Sequence, residues 1–252
     1  MKLSGLAIVF AVAVLSAIPS APAFAQEKPG NVTWITELTP RSGAEKQFEE
    51  GLKQLAAWRA SMNDPQSHVV FEQITGENMG TYSLVRRWTH WADKPVYSEG
   101  QIHAEIAKAM GDTVTKGVRK VYEEIPELDH PANLERPAKY YEIDTFHVPL
   151  DKQDRFAAAV GRLREAIEKT KSPMDVSWLR LTEGGEFGTW VLAIGHDSWA
   201  DFGSPSPDEV LDKAFGAAET DTIASEISTL IGGHFSEEVI MFRPDLSYFP
   251  KK

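Results

Sequence analysis

One phrase is written twice in this chain. "GTYSLVRRWTHWAD" runs from Gly80 to Asp93 and "GTWVLAIGHDSWAD" from Gly188 to Asp201, 108 residues apart. Both open Gly-Thr-aromatic and close Trp-Ala-Asp at one spacing. The echo extends to both sides. "VTWITELTP" precedes a helical pattern whose apolar face carries Phe48, Leu52 and Leu55; "YEIDTFHVP" precedes Phe156, Val160 and Leu163. Each triple follows the spacing of one helix face, and every member shifts by 108. Next come two short strands, "HVVFEQI" and "VSWLRL". Each passes through a glycine-containing turn ("TGENMG", "TEGGEFG") into the repeated phrase, which predicts a β-hairpin in each half.

After Trp-Ala-Asp both halves become helical again, with Ile102, Ile106 and Met110 in the first and Ile223, Ile227 and Leu230 in the second. The stretches "VYEEIPELDH" and "VIMFRPDLSY" then close the two copies. Pro126 and Pro244 lie 118 apart rather than 108, so the second copy carries the longer helical region. Helix starts are signalled by Ser42-Gly-Ala-Glu45 and by Ser206-Pro-Asp-Glu209, both with the letters of a capping box. Each half therefore reads β-α-β-β-α-β, an α+β chain built by duplication. The predicted division is 1–25 as a leader, 26–135 as the first copy and 136–252 as the second, with "DHPANLERP" (Asp129 to Pro137) as the joint. Within the phrase, Gly80 and Gly188 are expected to need positive φ or close backbone approach. Trp91 and Trp199 are expected to anchor the second helix on the sheet, with Asp93 and Asp201 in its first turn.

The first 25 residues follow a different plan. Lys2 precedes an apolar run from Leu6 to Ile18, and Ala23-Phe24-Ala25 is an A-x-A cleavage site, the pattern of a secretory signal peptide. Thirteen residues at ~1.5 Å each reach ~20 Å, short of a ~30 Å hydrocarbon core. The expectation is cleavage after Ala25, a mature chain from Gln26, and a periplasmic or secreted bacterial protein with no membrane segment. There is no cysteine, so disulfides, thiolate metal sites and cysteine nucleophiles are excluded. The net charge of −11, with no clustered Lys/Arg beyond pairs such as Arg86-Arg87, argues against nucleic acid and anionic membranes as partners.

Where the copies differ, chemistry can enter. Alternation places Tyr82, Leu84, Arg86 and Trp88 on one face of a strand, and Trp190, Leu192, Ile194 and His196 on its counterpart. With Trp34, Phe71 and Trp178 on neighbouring strands, these rings would line a cleft for a small apolar or planar ligand, unless they form core. His196, at a strand end before a helix, and Arg86 are the candidate catalytic groups, His196 as general base or hydrogen-bond donor. Glu142 and Asp144 share a strand face, and Glu37 is a candidate for the equivalent place in the first copy; paired carboxylates can do acid–base work or hold a divalent cation, or simply meet water. The seven histidines show no H-x-x-x-H or HExxH spacing, so no metal site is expected from motifs. Walker, Rossmann and G-x-S-x-G patterns are also missing from the sequence.

The doubled element order and the Trp-Ala-Asp helix start resemble the dimeric α+β barrel (ferredoxin-like) superfamily in its tandem form, including proteins like the antibiotic-biosynthesis monooxygenases. The resemblance covers nearly all of the mature chain. It implies two four-stranded antiparallel sheets packed face to face, helices outside, and a cleft between sheet and helices. It also brings in haem enzymes such as chlorite dismutase; there the second copy's helical region would have to supply a histidine, and His234 in "GGHFSEE" is its only one. No cofactor is expected, haem included. Three readings remain: an exported protein binding or converting a small apolar or aromatic molecule, a haem-dependent oxidoreductase, and a non-catalytic periplasmic binding or assembly protein. Oligomeric state is open, since a tandem chain already pairs its own sheets.

Overall fold

The computed structural model describes residues 32–88, 99–130, 137–203 and 205–250, with the side chains of Trp88, Glu99 and His103 excepted. The leader, Trp91, Asp93 and most of the joint lie outside the described residues. The first copy contains β1 (Val32–Pro40), α1 (Glu45–Ser61), β2 (Val69–Gln73), β3 (Tyr82–Trp88), α2 (Glu99–Met110) and β4 (Val114–Glu124). The second contains β5 (Tyr140–His147), α3 (Gln153–Thr170), β6 (Asp175–Glu183), β7 (Thr189–His196), α4 (Pro207–Phe215), α5 (Ala217–Ile231) and β8 (Phe235–Phe242). Among the described residues, the first copy has α2 where the second has two helices bent at Gly216, in line with the second copy's extra length.

The eight strands close into one antiparallel barrel in the cyclic order β1-β3-β2-β8-β5-β7-β6-β4. The duplication holds at the level of single pairs. Leu38↔Tyr82 becomes Phe146↔Trp190, both members shifted by 108, and Val69↔Val85 becomes Ser177↔Ala193 in the same way. The copies do not stack as two separate sheets. They join edge to edge, β2 to β8 and β4 to β6, so neither sheet keeps a free edge.

Strand alternation then sorts every side chain to the lumen or to the helix side. On the helix side of the first copy, Leu38, Val70, Tyr82 and Leu84 pack with Phe48, Leu52 and Leu55 of α1 and Met110 of α2. The second copy repeats this with Phe146, Trp178, Trp190 and Leu192 under Phe156, Val160 and Leu163 of α3, joined by Val210, Leu211, Ile223 and Leu230 of α4 and α5. In the lumen, Ile35, Tyr122, Ile143, Leu179, Leu181 and Val191 form the apolar middle layer.

The two helix starts differ from each other. Ser206 caps α4 with a complete capping box and Pro207 in the first turn. α1 begins without a side-chain cap; its N-cap is Ala44, and the Glu45 carboxylate turns back to accept from the Gly43 N–H at 2.9 Å. The letters Ser42 to Glu45 therefore do not make a capping box here, because Gly43, at φ 82, starts the helix two residues later. Trp199 also departs from its expected role. It lies in a short 3-10 turn (Trp199–Gly203) ahead of α4, 54% exposed, against Tyr140 and Phe202 rather than under a helix. Asp201 caps that turn, accepting from the Ser198 N–H at 2.7 Å.

Candidate functional site

The candidate side chains fall on three surfaces instead of one. β3 and β7 stand four strands apart in a ring of eight, so Arg86 and His196, both on the helix side, face opposite directions. Arg86 is buried in the first copy and donates to Gln66 Oε1 at 2.6 Å. It belongs to a group built round Arg59, whose Nη1 lies 3.1 Å from Asp64 Oδ2 and 2.5 Å from His68 Nε2. Burial above all pushes His68 down to about 3, so the ring stays neutral and accepts at Nε2 from the guanidinium. This group ties the end of α1 to β2 and to the C-terminal segment, where the Tyr248 hydroxyl donates to the Asp64 carbonyl at 2.7 Å. It is a structural tie among buried ions.

The aromatic residues are similarly dispersed. Trp178 and Trp190, each 2% exposed, pack on each other and on Phe156 and fill the space under α3. Tyr82 is buried against Phe48, its hydroxyl donating to Glu49 Oε1 at 2.7 Å. Trp34 is half-buried, with the Arg119 guanidinium 5.4 Å from its ring centre. Phe71 points the other way, into the lumen, against Tyr141 and Phe242. The Trp88 side chain lies outside the described residues. Of the acidic trio, Glu142 and Asp144 are on the helix side, as alternation places them, but Glu37 is in the lumen, where it accepts from Lys120 Nζ at 2.7 Å. The pair registers explain this: Glu37 is the counterpart of Thr145, not of Glu142 or Asp144.

The second copy's outer face, at the β5–β8 side, assembles a different constellation. His196 stacks on Phe202 with ring centres 4.1 Å apart, and Phe202 stacks on Trp199 at 4.7 Å. His196 Nε2 is buried without a hydrogen-bond partner and lies 3.5 Å from Glu142 Oε2. Next along β5, Asp144 is 9% exposed and its Oδ1 has no partner. Across the ladder Asp144 stands directly opposite Glu237 of β8, which is exposed. Burial, then the charges of Glu142 and Glu237, push the Asp144 carboxyl up to about 7. Glu237 and the stacking rings Phe202 and Trp199 have no motif spacing; the register of β5 and β8 brings Glu237 to Asp144, and the 3-10 turn brings the two rings to His196.

A cavity opens at one mouth of the barrel. It has a volume of about 190 Å³ and is polar, lined among others by Glu37, Lys120, Gln73, Thr145, Ser236 and Glu238. Glu238 is held above the usual carboxylate range by burial and by Glu37, while Gln73 donates to it.

These residues do not fit haem. His234 lies beyond the end of α5, exposed, with its ring edge-on to His147. His196, on the outer face at the end of β7, is beside Glu142 of the neighbouring strand β5, whose outer face also carries Asp144, so the two propionates of a haem would meet like charge there, and Trp178, Trp190 and Phe156 already occupy the space under α3.

Neither a family model nor a curated protein matches this sequence. Solved structures do. A candidate monooxygenase from Lactobacillus acidophilus NCFM aligns over 88% of this chain and 97% of its own, with TM-score 0.55 at 9% identity. A candidate monooxygenase from Fusobacterium nucleatum subsp. nucleatum aligns over 84% and 92%, with TM-score 0.51 at 10% identity. An anthrone oxidase-like protein aligns over 86% and 92%, with TM-score 0.50 at 14% identity. At such identities the likeness is one of fold. With two βαββαβ copies closed into one eight-stranded barrel, and that architecture shared along most of the chain, this protein has a tandem, ferredoxin-like dimeric α+β barrel fold.

Proposed function

We propose that this is an exported protein that binds a small planar molecule on the outer face of its second copy, between the Trp199–Phe202–His196 stack and the acidic face of β5. The observation that carries this reading is the stack itself. It begins at a ring more than half exposed, passes through Phe202, and ends at a nine-tenths buried imidazole with an unpartnered nitrogen beside Glu142. Single exposed aromatics are common on protein surfaces. A continuous stack leading to a buried polar atom is what a planar ligand needs, with faces to lie against and one group to fix its orientation. The carboxylates select for a ligand that brings hydrogen-bond donors or positive charge, such as a phenol or an aromatic amine.

This reading moves the ligand away from the buried rings of Trp178, Trp190 and Tyr82, which serve the core. It keeps His196, now as a polar contact, and leaves Arg86 out. Export rests on the leader pattern, and it predicts that the chain recovered from the exported fraction begins at Gln26. For the ligand, a panel of phenolic polycycles, anthrones among them, and aromatic amines would be titrated by equilibrium dialysis. Trp199→Ala should weaken binding roughly tenfold, the scale of one aromatic contact. Equal binding by wild type and Trp199→Ala, or no saturable binding across the panel, would remove this assignment.

A further inference from the structure

The duplication supplies its own control for the second copy's outer face, because each position there has a counterpart in the first copy, fixed by strand register. Glu142 corresponds to Trp34 and Asp144 to Thr36, through the β1–β3 and β5–β7 ladders. His196 corresponds to Trp88 in the same ladders. The cross-strand pair Thr36↔Arg119 corresponds to Asp144↔Glu237. The first copy thus places Trp, Thr, Arg and Trp where the second places Glu, Asp, Glu and His. In the first copy the Arg119–Trp34 contact satisfies this corner of the sheet. In the second, all four positions have become residues that can ligate a metal.

Taken alone, the second arrangement is electrostatically unfavourable. Ligand oxygens of Glu142, Asp144 and Glu237 all lie within 4.8 Å of one another. Two of these carboxylates are directly opposed across a β-ladder, where like charges destabilise a sheet. Among the described residues, no lysine or arginine pairs with any of the three. Two further groups point to a missing counter-charge. Asp144 Oδ1 is buried without a partner. The His196 side chain, 10% exposed, presents its unpartnered Nε2 3.5 Å from Glu142 Oε2. Buried polar atoms in native proteins are nearly always satisfied, so two orphans facing one acidic corner call for a common partner.

We propose that Glu142, Asp144 and Glu237, with His196 as the fourth donor, form a binding site for a first-row divalent metal ion. The donor set selects the class. Three carboxylates favour a hard or borderline cation, and the imidazole favours manganese, iron or zinc over calcium and magnesium, which take oxygen alone. The oxygens of the three carboxylates, within 4.8 Å of one another, are drawn in by short side-chain movements to the roughly 2.0–2.2 Å bonds such ions require, and His196, which lies outside that group, joins from the Glu142 side. Glu237, the exposed member, is the one free to swing, and that side is where an exchangeable position would remain open. The site shares its face with the ligand surface proposed above and rests on that reading only for what the metal would serve.

The test uses the full mature chain stripped with chelator and the metal alone as probe. Mn²⁺ is followed by loss of the free-ion EPR signal, and Zn²⁺ by calorimetry. One saturable equivalent per chain is expected, together with a rise in Tm at excess metal. Asp144→Asn and Glu237→Gln should each weaken binding at least tenfold. His196→Gln should weaken Zn²⁺ more than Mn²⁺. Because like charge is removed, Asp144→Asn should raise the Tm of the metal-free protein while abolishing the metal-induced rise, a pair of opposite signs that mere misfolding cannot produce. Binding that survives unchanged in Asp144→Asn and Glu237→Gln, or no saturable uptake of either ion by folded wild type, would overturn the site. Neither result bears on the Trp199 experiment, which needs no metal.

Discussion

Asp129 shows how one residue at the joint carries a pH dependence for the whole chain. Its Oδ1 accepts the Trp178 N–H at 2.6 Å, which favours the anion, but burial outweighs this and pushes the carboxyl up to about 7. The folded state therefore holds this proton more tightly than the unfolded chain, whose aspartates titrate near 3.9. Stability from this group is full below about pH 4 and is lost as pH rises through 7. Asp129→Asn keeps a carbonyl oxygen for Trp178 and removes the charge. It should stabilise the protein at pH 8 by on the order of 1–3 kcal/mol and change little at pH 4, as read from urea unfolding at both pH values. His68 has the opposite sign: its depressed value, about 3, means stability falls as pH drops below about 6.5. Equal effects of Asp129→Asn at the two pH values would show that the carboxylate is better solvated than its burial implies.

At the scale of elements, the two hairpin turns look interchangeable in sequence yet differ in their demands. Gly80 and Gly188 both take φ 87, as their place in the repeat predicts. At Gly80 an added Cβ would meet nothing within 4 Å, whereas at Gly188 it would come within 2.2 Å of the Val148 carbonyl oxygen. The cause lies in the strand opposite. Val148 donates its N–H to the Gly188 carbonyl at 2.8 Å, drawing the backbones together. Its counterpart Pro40 has no N–H to give, so Gly80 instead donates to the Gln73 carbonyl. Gly80→Ala should cost about 1–2 kcal/mol, the strain of positive φ. Gly188→Ala should cost clearly more, because backbone must also move; thermal unfolding of the two variants side by side checks the order.

For the whole molecule, the decisive contacts are the two seams. The Arg243 N–H to the Val70 carbonyl on one side corresponds to the Ile125 N–H to the Trp178 carbonyl on the other, and the Tyr248–His68 bridge corresponds to His130–Val176. Neither copy can lose its place in the ring without exposing two strand edges. Native-state hydrogen exchange should therefore find the amides of Arg243 and Ile125 equally protected, both opening only with global unfolding. Exchange of one seam at markedly lower free energy would mean that the copies unfold separately.

Much of this architecture was legible in the sequence, because duplication is a pattern of letters and helix and strand periods are local. The 108-residue shift relates β1, β2 and β3 to β5, β6 and β7, and the change to 118 located the extra helix and relates β4 to β8 behind it. Local signals also failed where a neighbour overrode them. Ser42 lost its cap to the turn at Gly43, and Trp199 stayed exposed because the 3-10 turn after β7 ends before α4 begins. The candidate site was half legible: His196, Glu142 and Asp144 stood out by residue type and alternation. Glu37 departs from the pair because the 108-residue shift makes it the counterpart of lumen-facing Thr145, and Glu237 gave no signal because it comes from β8, about 90 residues further along the chain than β5.

The amino-acid sequence by itself determined that the chain is two copies of one βαββαβ unit, since periodicity and repetition need no third dimension. Only the tertiary structure decided which faces of the strands meet helices and which meet the lumen, and that β5 and β8 lie side by side. That adjacency crowds three carboxylates into one corner beside the buried imidazole of β7, and crowding of charge depends on distances through space that linear spacing does not encode.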